Sequence, residues 1–306
     1  PNRSQAREGF AREEADGIPI DAFERNYRDQ NHKPEIICAL TDFTAMCGFR
    51  SPAEIQEWYR RIVPELYRKA IAPETDDTRE SEWLQLFFEN IMNLPQETQT
   101  ELIEALHSWA GKAEDEYREA KLIRTFYAHH GVNVGVQAPL FLNLVELSPG
   151  EALYQPAGVL HAYVQGMGVE LMANSDNVLR GGLTKKHVDV PELLHVLSFE
   201  PRPADILHGE TGEEGVLHYP VPIDEFELQQ CRVEPNNPVQ RSRRTSIEIG
   251  ICTAGALRLS AQNGAKALDL VCGESFVVPH AGGSYRISGR GELYLATIPH
   301  RNQSAE

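Results

Sequence analysis

The residues best suited to chemistry lie between His161 and Arg180. His161 begins an apolar segment, Glu170 lies within the next one, and Arg180 follows a polar turn. An imidazole can bind a metal ion, a carboxylate can act as a base, and a guanidinium can hold an anion through paired hydrogen bonds. These three groups in one short segment predict a catalytic site. The alternative for a single His or Glu on a strand is a satisfied or exposed residue without a chemical role.

The alternation around Glu170 predicts a half-buried strand. Val169 and Leu171 fall on one face and Glu170 on the other, which is the period-two pattern of such a strand. A carboxylate directed into a β-barrel would be costly unless it met a charge, a metal or a proton donor. Glu170 is therefore a candidate for one of those roles.

A second reactive group, His32, Lys33, Pro34 and Glu35, stands before the first apolar run. Proline keeps the preceding Lys33 extended and starts the strand that follows. We therefore expect Glu35 at the mouth of a buried strand, with His32 and Lys33 just outside it. The spacing leaves two interpretations open: a reactive carboxylate, or a strand-end carboxylate that only pairs with Lys33.

The formal net charge of -16 argues against nucleic acid as a partner, because the phosphate backbone needs a basic face. An anionic substrate would also be repelled at long range and must be held by a local basic patch. The best patch runs from Arg180 to His187 and includes Lys185 and Lys186. The cluster of three arginines and one serine at 241–244 is expected to be a solvated surface turn.

The 306 residues predict about two domains with a sizeable core. No apolar run is long enough to cross a bilayer and no signal peptide is visible, so we expect no membrane partner. The five cysteines are scattered and never form a Cys-x-x-Cys spacing, which is typical of reduced thiols in a cytoplasmic protein.

A change of hydrophobic period at Ser51 predicts a helical insertion. Ser51 and Glu54 form a capping box, with Pro52 in the first turn of the helix. From there to about residue 130, apolar residues recur at three- and four-residue steps, which is typical of helices that pack on each other. Strands are expected on both sides of the insertion, including one over 140–147.

An internal repeat predicts two barrels. Gly150 to Pro156 aligns with Gly273 to Pro279, and each follows an apolar strand. Two such units suggest two cupin-like double-stranded β-helix barrels. Ser284 stands where the first unit has His161, so we expect the second barrel to be structural. The predicted fold is mainly β with a helical insertion, divided into a catalytic domain over 1–50 and 131–222, a helical domain over 51–130 and a C-terminal domain over 223–306.

Three blocks of residues resemble the type I phosphomannose isomerases. They are His32 to Glu35, Leu160 to Tyr163, and Asn174 to Thr184 with its Ser-Asp-Asn-Val-x-Arg core. The similarity covers essentially the whole chain. It implies a cytoplasmic, monomeric enzyme that interconverts mannose 6-phosphate and fructose 6-phosphate through an enediol and so supplies mannose phosphates for GDP-mannose.

The resemblance also implies one zinc ion, which this family holds with a glutamine, two histidines and a glutamate. Glu35 and His161 match two of these ligands. The other two belong to a Gln-x-His-Pro motif whose tail resembles Pro1 and Asn2. We therefore expect the missing glutamine and histidine to lie upstream of residue 1, together with the rest of an N-terminal catalytic segment.

The remaining site residues take their expected roles from the same resemblance. Arg180 matches the arginine of the family's active site and would stabilise negative oxygen or grip phosphate. Glu170 is a candidate base, with Lys33 and His32 as competing proton carriers. Lys185 is a weaker candidate for holding the phosphate.

Two other functional classes stay open. A metal-dependent cupin oxygenase would need two histidines and a carboxylate for iron, and the chain shows one good histidine in a barrel context. A sugar-phosphate-binding cupin, or a catalytically incompetent fragment, would have the same surface without turnover.

Overall fold

The computed structural model describes residues 1–73, 79–184, 187–212, 215–242, 246–262, 264 and 266–299. The α-helices are α1 (Arg3–Ala15), α2 (Pro52–Ile62), α3 (Pro64–Leu66), α4 (Glu80–Met92), α5 (Gln96–Ala113), α6 (Arg118–His130), α7 (Ala138–Phe141) and α8 (Val190–Val196). The strands are β1 (Glu35–Ala39), β2 (Phe43–Phe49), β3 (Leu142–Leu147), β4 (Glu151–Gln155), β5 (His161–Gln165), β6 (Gly168–Met172), β7 (Ile206–His208), β8 (Glu210–Thr211), β9 (Val216–Tyr219), β10 (Glu227–Val233), β11 (Val239–Arg241), β12 (Glu248–Ala261), β13 (Leu268–Val271), β14 (Ser275–Val278) and β15 (Tyr285–Thr297).

These strands form three antiparallel sheets. The first has the order β6-β1-β4-β7, and the second has the order β3-β2-β5. The third comprises eight strands from the C-terminal part of the chain, in the order β13-β12-β15-β10-β9-β8 with β11 on β15 and β14 on β12. The prediction of a β-rich chain with a helical insertion is confirmed at this level.

The helical insertion packs against the end of β2. The predicted capping box is present, since Ser51 Oγ accepts from the Glu54 amide at 3.4 Å and Glu54 Oε2 accepts from the Ser51 amide at 3.1 Å. Phe88 stacks edge-on against Phe49 with ring centroids 5.5 Å apart, which fixes α4 over the last residue of β2. None of the helices in the described ranges is long and apolar enough to cross a membrane.

β1 is buried on both of its faces. Ile37 packs with Phe43 and Leu153 in one apolar cluster of the first two sheets. On the other face, Ile36 packs with Leu228 from the eight-stranded sheet. The strand that begins with Glu35 is therefore held between the N-terminal sheets and the C-terminal sheet.

The structure corrects the strand predicted over 140–147. That segment begins with helix α7, and β3 starts only at Leu142. The reason is Pro139, which is favourable in the first turn of a helix because its missing amide would have no partner there. The sequence over 187–199 predicts a short helix followed by a strand; α8 confirms the helix, but residues 197–205, all of them described, form no strand.

The predicted surface turn at 241–244 is wrong for Arg241. This residue ends β11 and has no exposed side-chain surface. Its Nη2 lies 2.5 Å from Glu248 Oε1 and 2.7 Å from Gln229 Oε1, and the Tyr285 hydroxyl donates to Glu248 Oε2 at 3.0 Å. A buried carboxylate therefore draws the guanidinium into the C-terminal core, which local composition does not reveal. Arg243 and Arg244 lie outside the described residues.

Candidate active site

Glu35 and His161 meet at the centre of the site from two different sheets. Glu35 is the first residue of β1 and only 7% exposed, whereas His161 is the first residue of β5. Glu35 Oε2 lies 2.9 Å from His161 Nε2, and Glu35 Oε1 lies 3.4 Å from Lys33 Nζ. Glu35 therefore pairs with Lys33 at the end of the strand, and its other oxygen also faces the imidazole of His161, a potential metal ligand.

The orientation of His161 is set by a backbone carbonyl. Its Nδ1 donates to Val159 O at 2.9 Å. Nε2 is therefore the nitrogen that faces Glu35, and it is the atom that would bind a metal when the imidazole is neutral. This outer hydrogen bond is the usual support of a metal-ligating histidine.

The two side chains stabilise each other's charged forms. Burial raises the pKa of Glu35, but the hydrogen bond and charge of His161, with a smaller contribution from Lys33, hold it below its ordinary value of 4.5. Burial lowers the pKa of His161, but the hydrogen bond and charge of Glu35 raise it above its ordinary value of 6.5. Without a metal, the two residues form an ion pair.

A cleft of about 250 Å³ opens beside this pair. Its polar lining includes Lys33, Glu35, His161 and Arg180, and its apolar lining comes from the segment before β5 and from α8. Arg180 forms no ion pair with any described residue. The structure thus places Lys33, Glu35 and His161 together around one cavity. The guanidinium of Arg180 also lines this cavity.

Tyr163 connects Glu170 with His161, because it contacts both side chains. The Tyr163 hydroxyl donates to Glu170 Oε1 at 2.7 Å, and the rings of Tyr163 and His161 are 5.8 Å apart. Glu170 is exposed, and its charge contributes to the raised pKa of His161. Sequence reasoning missed Tyr163, although its position two residues after His161 on the same strand places both side chains on one face.

Gln155 is a second residue that the sequence did not single out. It lies opposite Glu35 in the β1/β4 pairing and is 1% exposed. Burial and the charge of Glu170 raise the pKa of Tyr163, and a hydrogen bond with the Gln155 amide opposes this rise. The buried amide therefore marks a polar position next to Glu35 that is linked to Tyr163.

Two of the predicted site residues that the structure describes, His32 and Glu170, do not line the cleft. His32 points towards the C-terminal part of the chain, where its Nε2 lies 2.5 Å from Glu225 Oε1. It is not among the described residues that line the cleft. Lys185 and Lys186 lie outside the described residues.

A smaller cleft of about 100 Å³ adjoins the first and shares Arg180 with it. Arg28 and His187 also line this second cleft, as does Asp176. Arg25 lines it too but is paired with Glu13 and Glu14, so Arg28, Arg180 and His187 are the residues that could form the local basic patch an acidic protein needs to hold an anion.

Glu35 and His161 fit two positions of a zinc site. Carboxylate oxygen and imidazole nitrogen are both zinc ligands, and two ligands of a tetrahedral zinc ion lie about 3.3 Å apart. The observed 2.9 Å between Glu35 Oε2 and His161 Nε2 is close to that spacing. The described residues contain no cluster of three or more His, Cys, Asp or Glu side chains that could complete the site.

Comparisons with known proteins show which family this chain is similar to. The model of the family "Phosphomannose isomerase type I, catalytic domain" matches residues 1–52, which include Lys33 and Glu35. The mannose-6-phosphate isomerase of Shigella flexneri is 37% identical over 295 residues, covering 96% of this chain and 73% of the relative. This chain belongs to the type I phosphomannose isomerase family. The relative from Escherichia coli (strain K12) is 36% identical, with the same coverage.

Solved structures of phosphomannose isomerases have the same fold. A mutant of the Salmonella typhimurium protein matches with a TM-score of 0.88 at 32% identity, over 98% of this chain and 74% of that chain. A zinc-bound mannose 6-phosphate isomerase matches with a TM-score of 0.85 at 32% identity, again over 98% and 74% of the two chains. Members of the phosphomannose isomerase family therefore bind zinc on the fold described above.

Proposed function

We propose that this phosphomannose isomerase interconverts mannose 6-phosphate and fructose 6-phosphate with the help of one zinc ion. The observation that carries the proposal is the Glu35–His161 pair, which presents two zinc ligands to a cleft that also contains Lys33 and Arg180. The buried amide of Gln155, opposite Glu35 and hydrogen-bonded with Tyr163, supports a polar environment at this position.

Glu35 and His161 would hold the zinc ion, with further ligands supplied from outside the described residues. Bound zinc supplies a positive charge that stabilises negative oxygen on the sugar. Val159 keeps the Nδ1 proton of His161 in place, so Nε2 stays available as a ligand. Lys33 lines the cleft beside Glu35, so its ammonium would face the substrate.

Aldose–ketose isomerisation moves a proton between adjacent carbons and therefore needs a base at the sugar. Glu170 and Lys33 are the candidate proton carriers, and His32 is a third. Glu170 is hydrogen-bonded by Tyr163, which would keep the carboxylate oriented next to His161. Lys33 lines the cleft itself, whereas His32 is held by Glu225. Its place in the cleft supports Lys33 over His32 as a proton carrier, whereas Glu170 is exposed and is proposed on its contact with Tyr163.

We propose that Arg180 binds the phosphate or the developing oxyanion. It lines both clefts and so lies between the zinc-side cavity and the basic cavity with Arg28 and His187. A guanidinium can donate two parallel hydrogen bonds to one phosphate, which an ammonium cannot do. Lys185 is proposed as an additional phosphate contact.

We propose that the first two sheets are part of one cupin-like barrel and that the C-terminal sheet is another, with the domain limits predicted from the sequence. The repeat of the Gly-Glu turn, at residues 150–151 and 273–274, and the antiparallel strand pairing support this view. The enzyme is proposed to act as a cytoplasmic monomer that supplies mannose phosphates for GDP-mannose.

Zinc content, intact mass and isomerisation of mannose 6-phosphate, measured on one purified sample, test the proposed function. We expect bound zinc and turnover that a chelator removes together and that added zinc restores. R180K should lower kcat/KM about tenfold, since it keeps the charge and loses the second hydrogen bond. R232K is the matched control, because Arg232 pairs with Glu292 on the C-terminal domain.

A sugar-phosphate-binding protein without turnover is the second candidate. It is favoured by the presence of only two zinc ligands among the described residues. Binding of mannose 6-phosphate without zinc or turnover, in a chain that extends upstream of residue 1, would establish this alternative and overturn the isomerase proposal.

A further inference from the structure

Asn177 connects two segments that are far apart in the chain. Its side chain is buried, and its Oδ1 accepts from the amides of Arg28 at 2.8 Å and Asp29 at 3.1 Å. Its Nδ2 donates to the carbonyls of Asp29 and Asn31, both at 3.0 Å. All four hydrogen-bonding positions of the amide are thus used on residues 28–31.

Asp29 makes the same connection in the opposite direction. Its Oδ1 accepts from Ser175 Oγ at 3.0 Å and from the Asn31 amide at 2.8 Å, while its Oδ2 accepts from the Asp176 amide at 2.7 Å. Ser175 is 3% exposed, so this carboxylate bonds to a partly buried polar surface. Hydrogen bonds to an ionised acceptor are among the stronger ones in proteins. We refer to Asp29, Ser175 and Asn177 as the clasp.

The clasp lies immediately before both halves of the candidate active site. Lys33 is two residues beyond Asn31, and Arg180 is three residues beyond Asn177. A chain advances at most about 3.6 Å per residue, so these side chains start within about 7 to 11 Å of the clasp along the backbone. Asn177 itself lines the cleft with Lys33 and Arg180.

We propose that the clasp positions the two segments that carry the reactive groups of the cleft. It sets the distance from Lys33 and Glu35, which follow residues 29–31, to Arg180, which follows residues 175–177. Asp29, Ser175 and Asn177 are positioning residues, because they act through these groups and not on the reacting atoms. The inference rests on the proposed isomerase function. It gives the Ser-Asp-Asn-Val-x-Arg block a physical role: its serine and asparagine secure the segment that carries Lys33.

Asn143 offers a matched control for the loss of a bridging amide. Its Nδ2 lies within 3.1 Å of four backbone carbonyls, those of Cys47, Gly48, Phe49 and Arg202. It is not among the described residues that line the cleft. N143D and N177D make the same chemical change, an amide donor replaced by a carboxylate, at two structural junctions of which only one borders the site.

N177D, S175A and N143D in the zinc-loaded enzyme test the proposal through kcat and KM. N177D should lower kcat/KM for mannose 6-phosphate by about a hundredfold, with kcat carrying part of the loss, because small misplacements of reacting groups are costly. S175A, which removes one donor and folds more easily, should lower it by about tenfold. N143D should stay within about threefold of the wild type at a similar decrease in Tm.

A second measurement does not depend on turnover. The rate at which an acylating reagent labels Lys33, followed by peptide mass spectrometry, should rise about threefold or more in N177D and S175A, because Lys33 leaves Glu35. N143D should label Lys33 at the wild-type rate. Unchanged labelling of Lys33 in N177D, or equal losses of kcat/KM in N177D and N143D, would overturn the proposal. A wild-type chain without turnover would contradict the proposed function alone, since the labelling result stands by itself.

Discussion

His161 Nε2 lies 2.9 Å from Glu35 Oε2, although β5 and β1 belong to different sheets. The pair therefore joins the two N-terminal sheets at the edge of the cleft. Each residue provides the charge that compensates the burial of the other, and neither could keep its charged form as readily alone.

Replacing Glu35 should change the titration of its partner. In the metal-free chain, E35Q removes the hydrogen bond and charge that raise the pKa of His161 and leaves the burial that lowers it. We expect the His161 pKa to lie above 6.5 in the wild type and to fall in E35Q, as followed by the ring-proton NMR signals. E227Q, which alters the separate His218–Glu227 pair, should leave the His161 titration unchanged. Equal midpoints in the wild type and E35Q would contradict the pairing.

The same pair predicts a pH window of stability for the metal-free chain. The contribution of Glu35, whose pKa is lowered, is present above 4.5 and is lost as the pH falls through its folded value. The contribution of His161, whose pKa is raised, is present below 6.5 and is lost as the pH rises through its folded value. The difference in free energy of unfolding between the wild type and E35Q, measured with urea, should therefore be largest between these values. A difference that keeps growing towards alkaline pH would contradict this expectation.

One of the five thiols should react far faster than the others. Cys272 is exposed, while Cys38, Cys47, Cys231 and Cys252 are buried. Burial also raises the pKa of Cys47 to about 11, so its thiolate is scarce at neutral pH. A disulfide reagent should label one thiol quickly in the native protein and all five after denaturation. C272S should abolish the fast phase, and a fast phase that persists in C272S would show that a buried cysteine is accessible.

The buried ion pair of the C-terminal sheet should matter for stability and not for catalysis. Arg241 and Glu248 are at most 1% exposed and 2.5 Å apart. R241M leaves the carboxylate of Glu248 without this cation, which should lower the free energy of unfolding by about 3 kcal/mol in urea denaturation. R258M, at an exposed pair with Asp269, should cost less than about 1 kcal/mol. Equal costs for the two variants would contradict the buried pairing.

The sequence was sufficient to predict the side chains whose chemistry is local. Pro34 before an apolar run predicted Glu35 at the start of a strand, and the capping box predicted α2. The partner of Glu35 could not be derived from spacing, because it approaches from another sheet and only the family resemblance linked the two. The Glu225 partner of His32 and the Glu248 partner of Arg241 were missed for the same physical reason. Long-range pairing depends on tertiary packing, which a local pattern does not contain.

The block 174–177 shows a different limit. The polar residues of this block predicted an active site. In the structure Ser175 and Asn177 are buried, and their side chains form hydrogen bonds with residues 28–31. A run of polar residues is predicted to be exposed when the segment that provides its hydrogen-bond partners lies far away in the sequence. Asn177 and Arg180 both line the cleft, but the side-chain amide of Asn177 is used on residues 28–31.

The double burial of β1 bears on how this protein can be divided. Ile36 and Cys38 pack against Leu228 and Tyr294, so the back of the strand that carries Glu35 is covered by the C-terminal sheet. A chain cut after the connecting region would leave that apolar back in contact with water. The C-terminal sheet therefore cannot be deleted as an independent module, because its residues form the apolar cover of the strand that carries Glu35.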